Sequence, residues 1–234
     1  FQTADVCLLD VVGGLETAAP WASIHNLQMS ELNFIHRFIP SEETPAARVL
    51  LLLHGTGGNE NDMLPLGRDL DPTAAVLSLR GNVLENGMPR FFRRLAEGVF
   101  DEEDVVRRAH ELADFVGAAA AQYKFDPRRL TAVGYSNGAN IAAAVLLLRP
   151  GVLTRAILFR AMVPLTPATL PNLAGTRVLI CSGKHDPIVP VENAGRLAAM
   201  LRDAGADVTL RFEEAPHQLV FAEIAAAKNW LRES

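Results

Sequence analysis

Residues 132–140 read Ala-Val-Gly-Tyr-Ser-Asn-Gly-Ala-Asn, and this segment predicts how the rest of the chain is arranged. The apolar run at 130–133 predicts a buried strand, and the small and apolar run at 139–148 predicts a helix. The chain must therefore turn sharply at Ser136, in a strained conformation that places the hydroxyl above the sheet edge. Gly134 and Gly138 suit this turn, because strand and helix approach so closely that a Cβ would clash.

The serine motif gains weight from the order of the other elements. On its own, Gly-x-Ser-x-Gly also fits a turn with a surface serine. Around it, however, apolar runs alternate with helical periodicity along the chain. Strands are predicted at 32–39, 48–54, 74–79, 154–162, 176–182 and 207–213, and helices at 101–123, 192–205 and 221–232. A further helix with Asn61 as its cap and a loop at 80–94 are also predicted.

This alternation predicts an α/β fold with a mostly parallel central sheet and helices on both faces. The unbroken apolar run at 48–54 agrees with it, because a strand covered on both faces has no polar side. We expect residues 26–234 to form one domain, with no insertion long enough for a large cap domain. Residues 1–25 are expected to be an N-terminal extension, and the sequence does not define its role.

Composition narrows the choice of partners and compartment. The 234 residues carry a formal net charge of −5, which argues against a nucleic-acid partner. No apolar run approaches the roughly 18 residues that a membrane span needs. Cys7 and Cys181 are too few for a disulfide framework, so the sequence favours a cytoplasmic protein.

Three polar residues that each follow a predicted strand predict one site. In a parallel sheet such positions gather at one edge, which would bring Ser136, Asp186 and His217 together. A serine hydroxyl needs a base to become a nucleophile, and an imidazole base needs a carboxylate to fix its tautomer. We therefore predict Ser136 as nucleophile, Asp186 as acid and His217 as base, in the chain order of α/β-hydrolases.

The three predicted relay residues also admit other interpretations. Asp186 also fits a turn, and His217 also fits a surface loop. His185 is a rival base, but it directly precedes Asp186, and adjacent residues form such a relay only with awkward geometry. We interpret His54 as bracing a glycine turn rather than as a group that transfers protons.

The glycine-rich run at 54–58 predicts a place for developing negative charge. Its glycines leave backbone N–H groups free to point at a ligand. Acyl transfer needs two such donors aimed at the oxyanion, and we predict the amides of Thr56 and Asn137. A phosphate-binding turn is disfavoured, because the run lacks the Lys-Ser/Thr ending of a P-loop and the G-x-G-x-x-G spacing.

Together, these motifs resemble the phospholipase/carboxylesterase family of α/β-hydrolases, which includes acyl-protein thioesterases and bacterial small-ester carboxylesterases. The resemblance extends over about residues 30–232 and is closer to the bacterial branch. The segments that carry it are 53–60, 80–81, 90–92, 134–140, 183–190 and 216–217.

The resemblance implies the same triad, Ser136, Asp186 and His217, and the same oxyanion donors, Thr56 and Asn137. It also implies a small-molecule ester substrate and catalysis without a metal or a cofactor. Thr56 stands where eukaryotic thioesterase members often carry Leu, so we expect a carboxylesterase for small or aryl esters. The alternatives are a lysophospholipase or acyl-thioesterase for longer chains, and a non-catalytic binding module. A homodimer is left open.

Loops around the predicted triad supply candidates for the substrate pocket. Their apolar side chains suit a short or medium acyl chain or an aromatic ring, and ordinary core packing is the alternative for each. No Arg or Lys is placed by the sequence to bind a substrate carboxylate. The candidates are Met63, Met88, Phe91, Phe92, Met162, Val163, Ile188 and Leu219.

Overall fold

The computed structural model describes residues 32–42 and 48–233. The N-terminal extension predicted at 1–25, and its boundary with the domain predicted at 26–234, lie outside these residues. That 26–234 form a single domain therefore stays a prediction. In the part described, the strands are β1 (His36–Ile39), β2 (Val49–Leu53), β3 (Ala75–Leu79), β4 (Val83–Glu85), β5 (Met88–Arg90), β6 (Arg94–Ala96), β7 (Val99–Phe100), β8 (Leu130–Tyr135), β9 (Arg155–Phe159), β10 (Arg177–Gly183) and β11 (Asp207–Glu213).

Helices alternate with these strands along most of the chain. They are α1 (Leu64–Leu70), α2 (Glu102–Tyr123), α3 (Asn137–Leu148), α4 (Val191–Asp203) and α5 (Phe221–Arg232). None of the helices described is long and apolar enough to cross a membrane. The connection from β9 to β10 has no helix, so it carries no helical cap over the sheet.

The central sheet follows the order β1-β3-β2-β8-β9-β10-β11. Only β1 is antiparallel to its neighbour in this sheet, and all the other pairs are parallel. The predicted α/β class with a mostly parallel sheet is confirmed. Because β8, β10 and β11 run in the same direction, the loops that leave them meet at one edge.

Strand β2 is buried along its whole length and separates two apolar layers. Leu51 and Leu53 belong to a cluster that includes residues of α2, α3 and α4. Leu50 and Leu52 belong to the opposite cluster, with residues of α1 and α5. Helices cover both faces, which explains why the strand sequence shows no polar alternation.

The N-cap residue of helix α1 is not the predicted Asn61. Met63 is the N-cap residue, and Leu64 is the first helical residue. The side chain of Asn59 accepts a hydrogen bond from the Asn61 amide at 2.9 Å, and Asp62 accepts one from the Asn59 amide at 3.0 Å. These local bonds form a polar turn, so Asn61 does not cap the helix.

The prediction of a loop at 80–94 is wrong in part, because the segment contains strands. β4 and β5 form a hairpin, and β6 pairs with β7 just beyond it. Asn86 and Gly87, between β4 and β5, have φ values of 52° and 79°. Two successive positive φ angles fit a type I′ turn, for which Asn-Gly is a strong sequence signal.

Candidate active site

Ser136 lies at the sharp turn between β8 and α3, with φ 52° and ψ −113°. This conformation is strained for a residue other than glycine. The Ser136 amide donates to the carbonyl of Phe159 at 2.8 Å, which ties the turn to β9. A Cβ on Gly138 would lie 2.0 Å from the carbonyl oxygen of Leu53, so only glycine lets α3 begin this close to β2.

The side chains of Ser136, His217 and Asp186 form a hydrogen-bonded chain. Nε2 of His217 lies 3.1 Å from Oγ of Ser136, and Nδ1 lies 2.8 Å from Oδ2 of Asp186. An ionised carboxylate can only accept, so Nδ1 donates and Nε2 is left to accept from the hydroxyl. The structure thus brings together the three residues that sequence order placed after separate strands. Such a relay can take the proton from a serine hydroxyl.

The Asp186 carboxylate is fully buried and held from two sides. Its Oδ1 accepts hydrogen bonds from the amides of Ile188 at 2.8 Å and Val189 at 3.0 Å. Its loop is tied to the loop after β11, because the His185 amide donates to the carbonyl of Ala215 at 3.1 Å. These bonds fix the distance between the carboxylate and the imidazole.

The side chain of His185, the rival base, lies at the surface. It is 69% exposed, and its Nε2 lies 2.9 Å from a carboxylate oxygen of Glu214. Lys184 pairs with the same carboxylate. His185 is therefore engaged away from the hydrogen-bonded chain that contains Ser136.

His54 is buried and braces two backbone segments. Its Nε2 accepts a hydrogen bond from the Gly81 amide at 3.0 Å, and its Nδ1 therefore carries the proton and donates to the Gly55 carbonyl at 2.6 Å. Burial lowers the pKa of His54, and the bond to Gly55 opposes this shift. The neutral imidazole thus links the glycine loop to the loop after β3 through two hydrogen bonds.

Acidification is expected to destabilise the protein partly through His54, because its folded-state pKa lies below the ordinary value of 6.5. The unfolded chain takes up the proton first, so stability falls as pH drops from about 6.5 toward the lowered pKa. Between about pH 7.5 and about pH 5.5, the free energy of unfolding should fall by more in the parent than in His54→Gln. Urea denaturation at both pH values measures this difference, and equal losses would contradict it.

The predicted oxyanion donors both border a cavity at Ser136. Asn137 is the first residue of α3, so its N–H has no acceptor within the helix. Its side-chain oxygen accepts from the Phe91 amide at 2.7 Å, and Nη1 of Arg90 donates to Oγ1 of Thr56 at 2.6 Å. The chain at and just after β5 therefore fixes both residues whose amides were predicted as donors.

The cavity at Ser136 has a volume of about 250 Å³ and a mixed polar and apolar wall. Of the eight predicted pocket residues, two line it, Met162 and Ile188. It is bounded by Thr56, Arg90, Arg94, Glu97, Gly98, Phe100, Tyr135, Ser136, Asn137, Asn140, Arg160, Met162, Ile188, Val189 and His217.

The other predicted pocket residues lie elsewhere. Phe91 and Phe92 are buried in the main core, and Val163 packs against that core. Met63 and Leu219 line a second cavity, which shares Thr56 and Tyr135 with the first. Met88 lies near Gly57 and is 40% exposed. For Phe91, Phe92 and Val163, the alternative of ordinary core packing describes the structure better.

Sequence reasoning missed the arginines in the cavity wall. The side chain of Arg90 is only 3% exposed, and its Nε lies 3.1 Å from a carboxylate oxygen of Glu85, while Arg94 lies 2.8 Å from the other oxygen. Burial lowers the pKa of the Arg90 guanidinium, and Glu85 opposes the shift. The only signal was the arginine before Phe91 and Phe92, and nothing local indicates that its head group turns inward.

Among the residues described, no group of three or more His, Cys, Asp or Glu side chains could hold a metal ion. Cys181 is buried in β10, and burial raises the pKa of its thiol to about 12. A thiol with such a pKa is not a nucleophile at neutral pH. Cys181 is therefore a packing residue of the apolar core.

A mostly parallel sheet with a serine at a strained strand-to-helix turn defines the α/β-hydrolases. The chain belongs to the phospholipase/carboxylesterase family, whose model matches residues 35–234. The predicted family and fold are thereby confirmed.

Individual relatives agree with this family. The chain is 51% identical over 193 residues to MhqD of Bacillus subtilis (strain 168), whose name goes no further than hydrolase; the match covers 82% of this chain and 96% of MhqD. It is 28% identical over 188 residues to the esterase YpfH of Escherichia coli (strain K12); the match covers 76% of this chain and 79% of YpfH. The crystal structure of the Bacillus cereus carboxylesterase superposes with a TM-score of 0.84 at 50% identity. The match covers 88% of this chain and 96% of the carboxylesterase chain.

Proposed function

We propose that this protein is a serine carboxylesterase that cleaves small or aryl esters through an acyl-enzyme intermediate. The observation that carries the proposal is the unbroken chain from Ser136 Oγ to His217 at 3.1 Å and from His217 to Asp186 at 2.8 Å. Its two similar proteins described as a carboxylesterase and an esterase support the same chemistry.

In the proposed first half-reaction, Ser136 Oγ attacks the ester carbonyl carbon while His217 Nε2 takes the hydroxyl proton. The carbonyl oxygen becomes an oxyanion, which the amides of Thr56 and Asn137 stabilise. The carbon–oxygen bond to the alcohol then breaks, and His217 returns the proton to the leaving alcohol. Asp186 keeps the imidazole in the required tautomer and stabilises its charged form.

In the second half-reaction, water attacks the acyl carbon of the intermediate and gives its proton to His217. The bond to Ser136 Oγ breaks, the proton passes to that oxygen, and the carboxylic acid leaves. Each proton taken up by the imidazole is thus released again. These steps need no redox partner.

The cavity favours small esters over the long acyl chains of a lysophospholipase or acyl-thioesterase. It is about 250 Å³ in volume, and the accessible side chains of Arg94 and Glu97 place charged groups in its wall. A long alkyl chain would bring apolar surface against these charged groups, which is unfavourable. A non-catalytic binding module is disfavoured, because all three members of the proposed relay are in contact.

A chain-length series tests the proposed substrate class. With p-nitrophenyl esters, kcat/KM is expected to peak at acetate to hexanoate, and lysophospholipid and acyl-CoA should be poor substrates. Met162→Phe narrows the cavity and should move the peak to shorter chains, whereas Met63→Phe, in the second cavity, should not. A peak at decanoate or longer would replace this proposal with the long-chain alternative.

The remaining predictions concern the state of the protein. We propose that it works without a metal or cofactor, which predicts full activity in EDTA. The cytoplasmic location stays a prediction, and the question of a homodimer stays open. Cell fractionation would test the first, and light scattering would test the second.

A further inference from the structure

The arginine behind the proposed relay, Arg160, has no part in the steps above. It follows β9 with φ 57°, and its side chain is fully buried. A guanidinium stays charged at all ordinary pH values, and burying it is costly unless its donors are satisfied. The partners of Arg160 therefore indicate what this buried charge does.

Two of these partners lie on either side of the proposed base. Nε of Arg160 donates to the carbonyl of Pro216 at 3.0 Å, and Nη2 donates to the carbonyl of Gln218 at 2.6 Å. These residues immediately precede and follow His217. One rigid guanidinium thus holds the backbone on both sides of the imidazole.

A third partner is the carboxylate of the proposed relay. Nε of Arg160 lies 3.7 Å from Oδ2 of Asp186, the same oxygen that lies 2.8 Å from Nδ1 of His217. Both the arginine and the aspartate side chains are inaccessible to solvent, so their attraction is only weakly screened. Arg160 therefore contacts the carboxylate directly and the base through its loop.

A fourth partner orients the guanidinium itself. Nη1 of Arg160 lies 2.8 Å from Oε1 of Glu223, and Nη2 lies 3.0 Å from Oε2. Glu223 stands in the first turn of α5 and is fully buried. The hydrogen bond from Nη2 to Oε2 and the ion contact of Nη1 with Oε1 orient the guanidinium, and a single Lys ammonium could not reproduce both.

We propose that Arg160, oriented by Glu223, is a positioning residue that holds His217 and Asp186 at the distances needed for proton transfer from Ser136. The inference rests on the proposed function. It goes beyond it by assigning a role to a buried ion pair that lies outside the relay.

The first test replaces Arg160 with Lys, which keeps the charge but bonds from a single nitrogen. With p-nitrophenyl acetate, kcat should fall about 10- to 100-fold, because small misplacements of a base are costly. KM should change less than about threefold, because substrate binding is retained. The matched control is Arg155→Lys at the start of β9, where the guanidinium stacks on Trp230, and its kcat should stay within about twofold.

A second test separates positioning from a merely structural role. In the Asp186→Asn background, Arg160→Lys should lower kcat less than about twofold further, because the relay is already broken. A structural residue would lower kcat by the same factor in both backgrounds. The variant Arg160→Met with Glu223→Met removes the buried charges as a pair, which folds often tolerate, and should also lose kcat about 10- to 100-fold.

The outcomes distinguish this inference from the proposed function. If Arg160→Lys keeps kcat within about threefold, or loses the same factor in both backgrounds, the positioning role is overturned. If the paired Met variant folds with parental kcat, it is overturned as well. If Ser136→Ala keeps full activity, the proposed function itself fails, whatever the arginine variants do.

Discussion

Replacing Ser136 with Ala is expected to lower kcat for p-nitrophenyl acetate by about 10,000-fold or more, because the attacking oxygen is lost and only binding and the oxyanion donors remain. The fold should be unchanged, since the strained turn is held by the Phe159 carbonyl and the close contact at Gly138 rather than by the hydroxyl. Initial rates at saturating ester, with circular dichroism of both proteins, measure the two effects.

Ser182→Ala is the matched control for this substitution. Ser182 is fully buried in β10, and its hydroxyl has no hydrogen-bond partner. Removing that hydroxyl should leave kcat within about twofold and should not reduce stability. If Ser136→Ala also kept kcat within about tenfold, Ser136 would not be the nucleophile.

Replacing Asp186 with Asn is expected to lower kcat by about 10,000-fold, with a much smaller change in KM. The shape of the side chain is nearly the same, but its NH₂ group can donate to His217. The imidazole would then adopt the other tautomer, with Nδ1 accepting from residue 186 and the proton on Nε2. An Nε2 that carries a proton could no longer deprotonate Ser136. Steady-state kinetics at several pH values between about 6 and about 8.5 measure the loss.

His185→Asn is the matched control, because His185 is the direct neighbour of Asp186 and the rival base in the sequence. Its imidazole is exposed and pairs with Glu214, so kcat should stay within about twofold. If Asp186→Asn lost less than about tenfold while His185→Asn lost more, the assignments of acid and base would both have to change.

The sequence was sufficient to predict the fold and the grouping of the candidate relay. The strand before Ser136 and the helix after it are local patterns that depend on neighbouring residues. The grouping of Asp186 and His217 with Ser136 needed only one further rule, that loops leaving parallel strands share an edge. Short-range pattern and topology together determine these features.

The cavity wall was predicted poorly, because it depends on side-chain directions across distant segments. Phe91 and Phe92 follow one another in the chain and looked like pocket residues, yet both are in the core. Arg90, directly before them, turns its guanidinium to Thr56 instead. Whether a residue of this segment lines the cavity or packs in the core depends on the direction of its side chain, which changes between adjacent residues. No local sequence pattern predicts that direction.

Arg160 was missed for a related reason. Three of its partners, Pro216, Gln218 and Glu223, are more than fifty residues away in the chain. An arginine at the end of a strand is usually solvated, so sequence alone gives no reason to expect burial. Only the tertiary structure shows that it meets the loop of His217.

Labelling with a fluorophosphonate probe shows whether Ser136 is the activated nucleophile that we propose. We expect one adduct per chain, located on Ser136 by mass spectrometry, with esterase activity lost in proportion to labelling and no adduct in Ser136→Ala. An adduct on another residue, or full activity after complete labelling of Ser136, would contradict it.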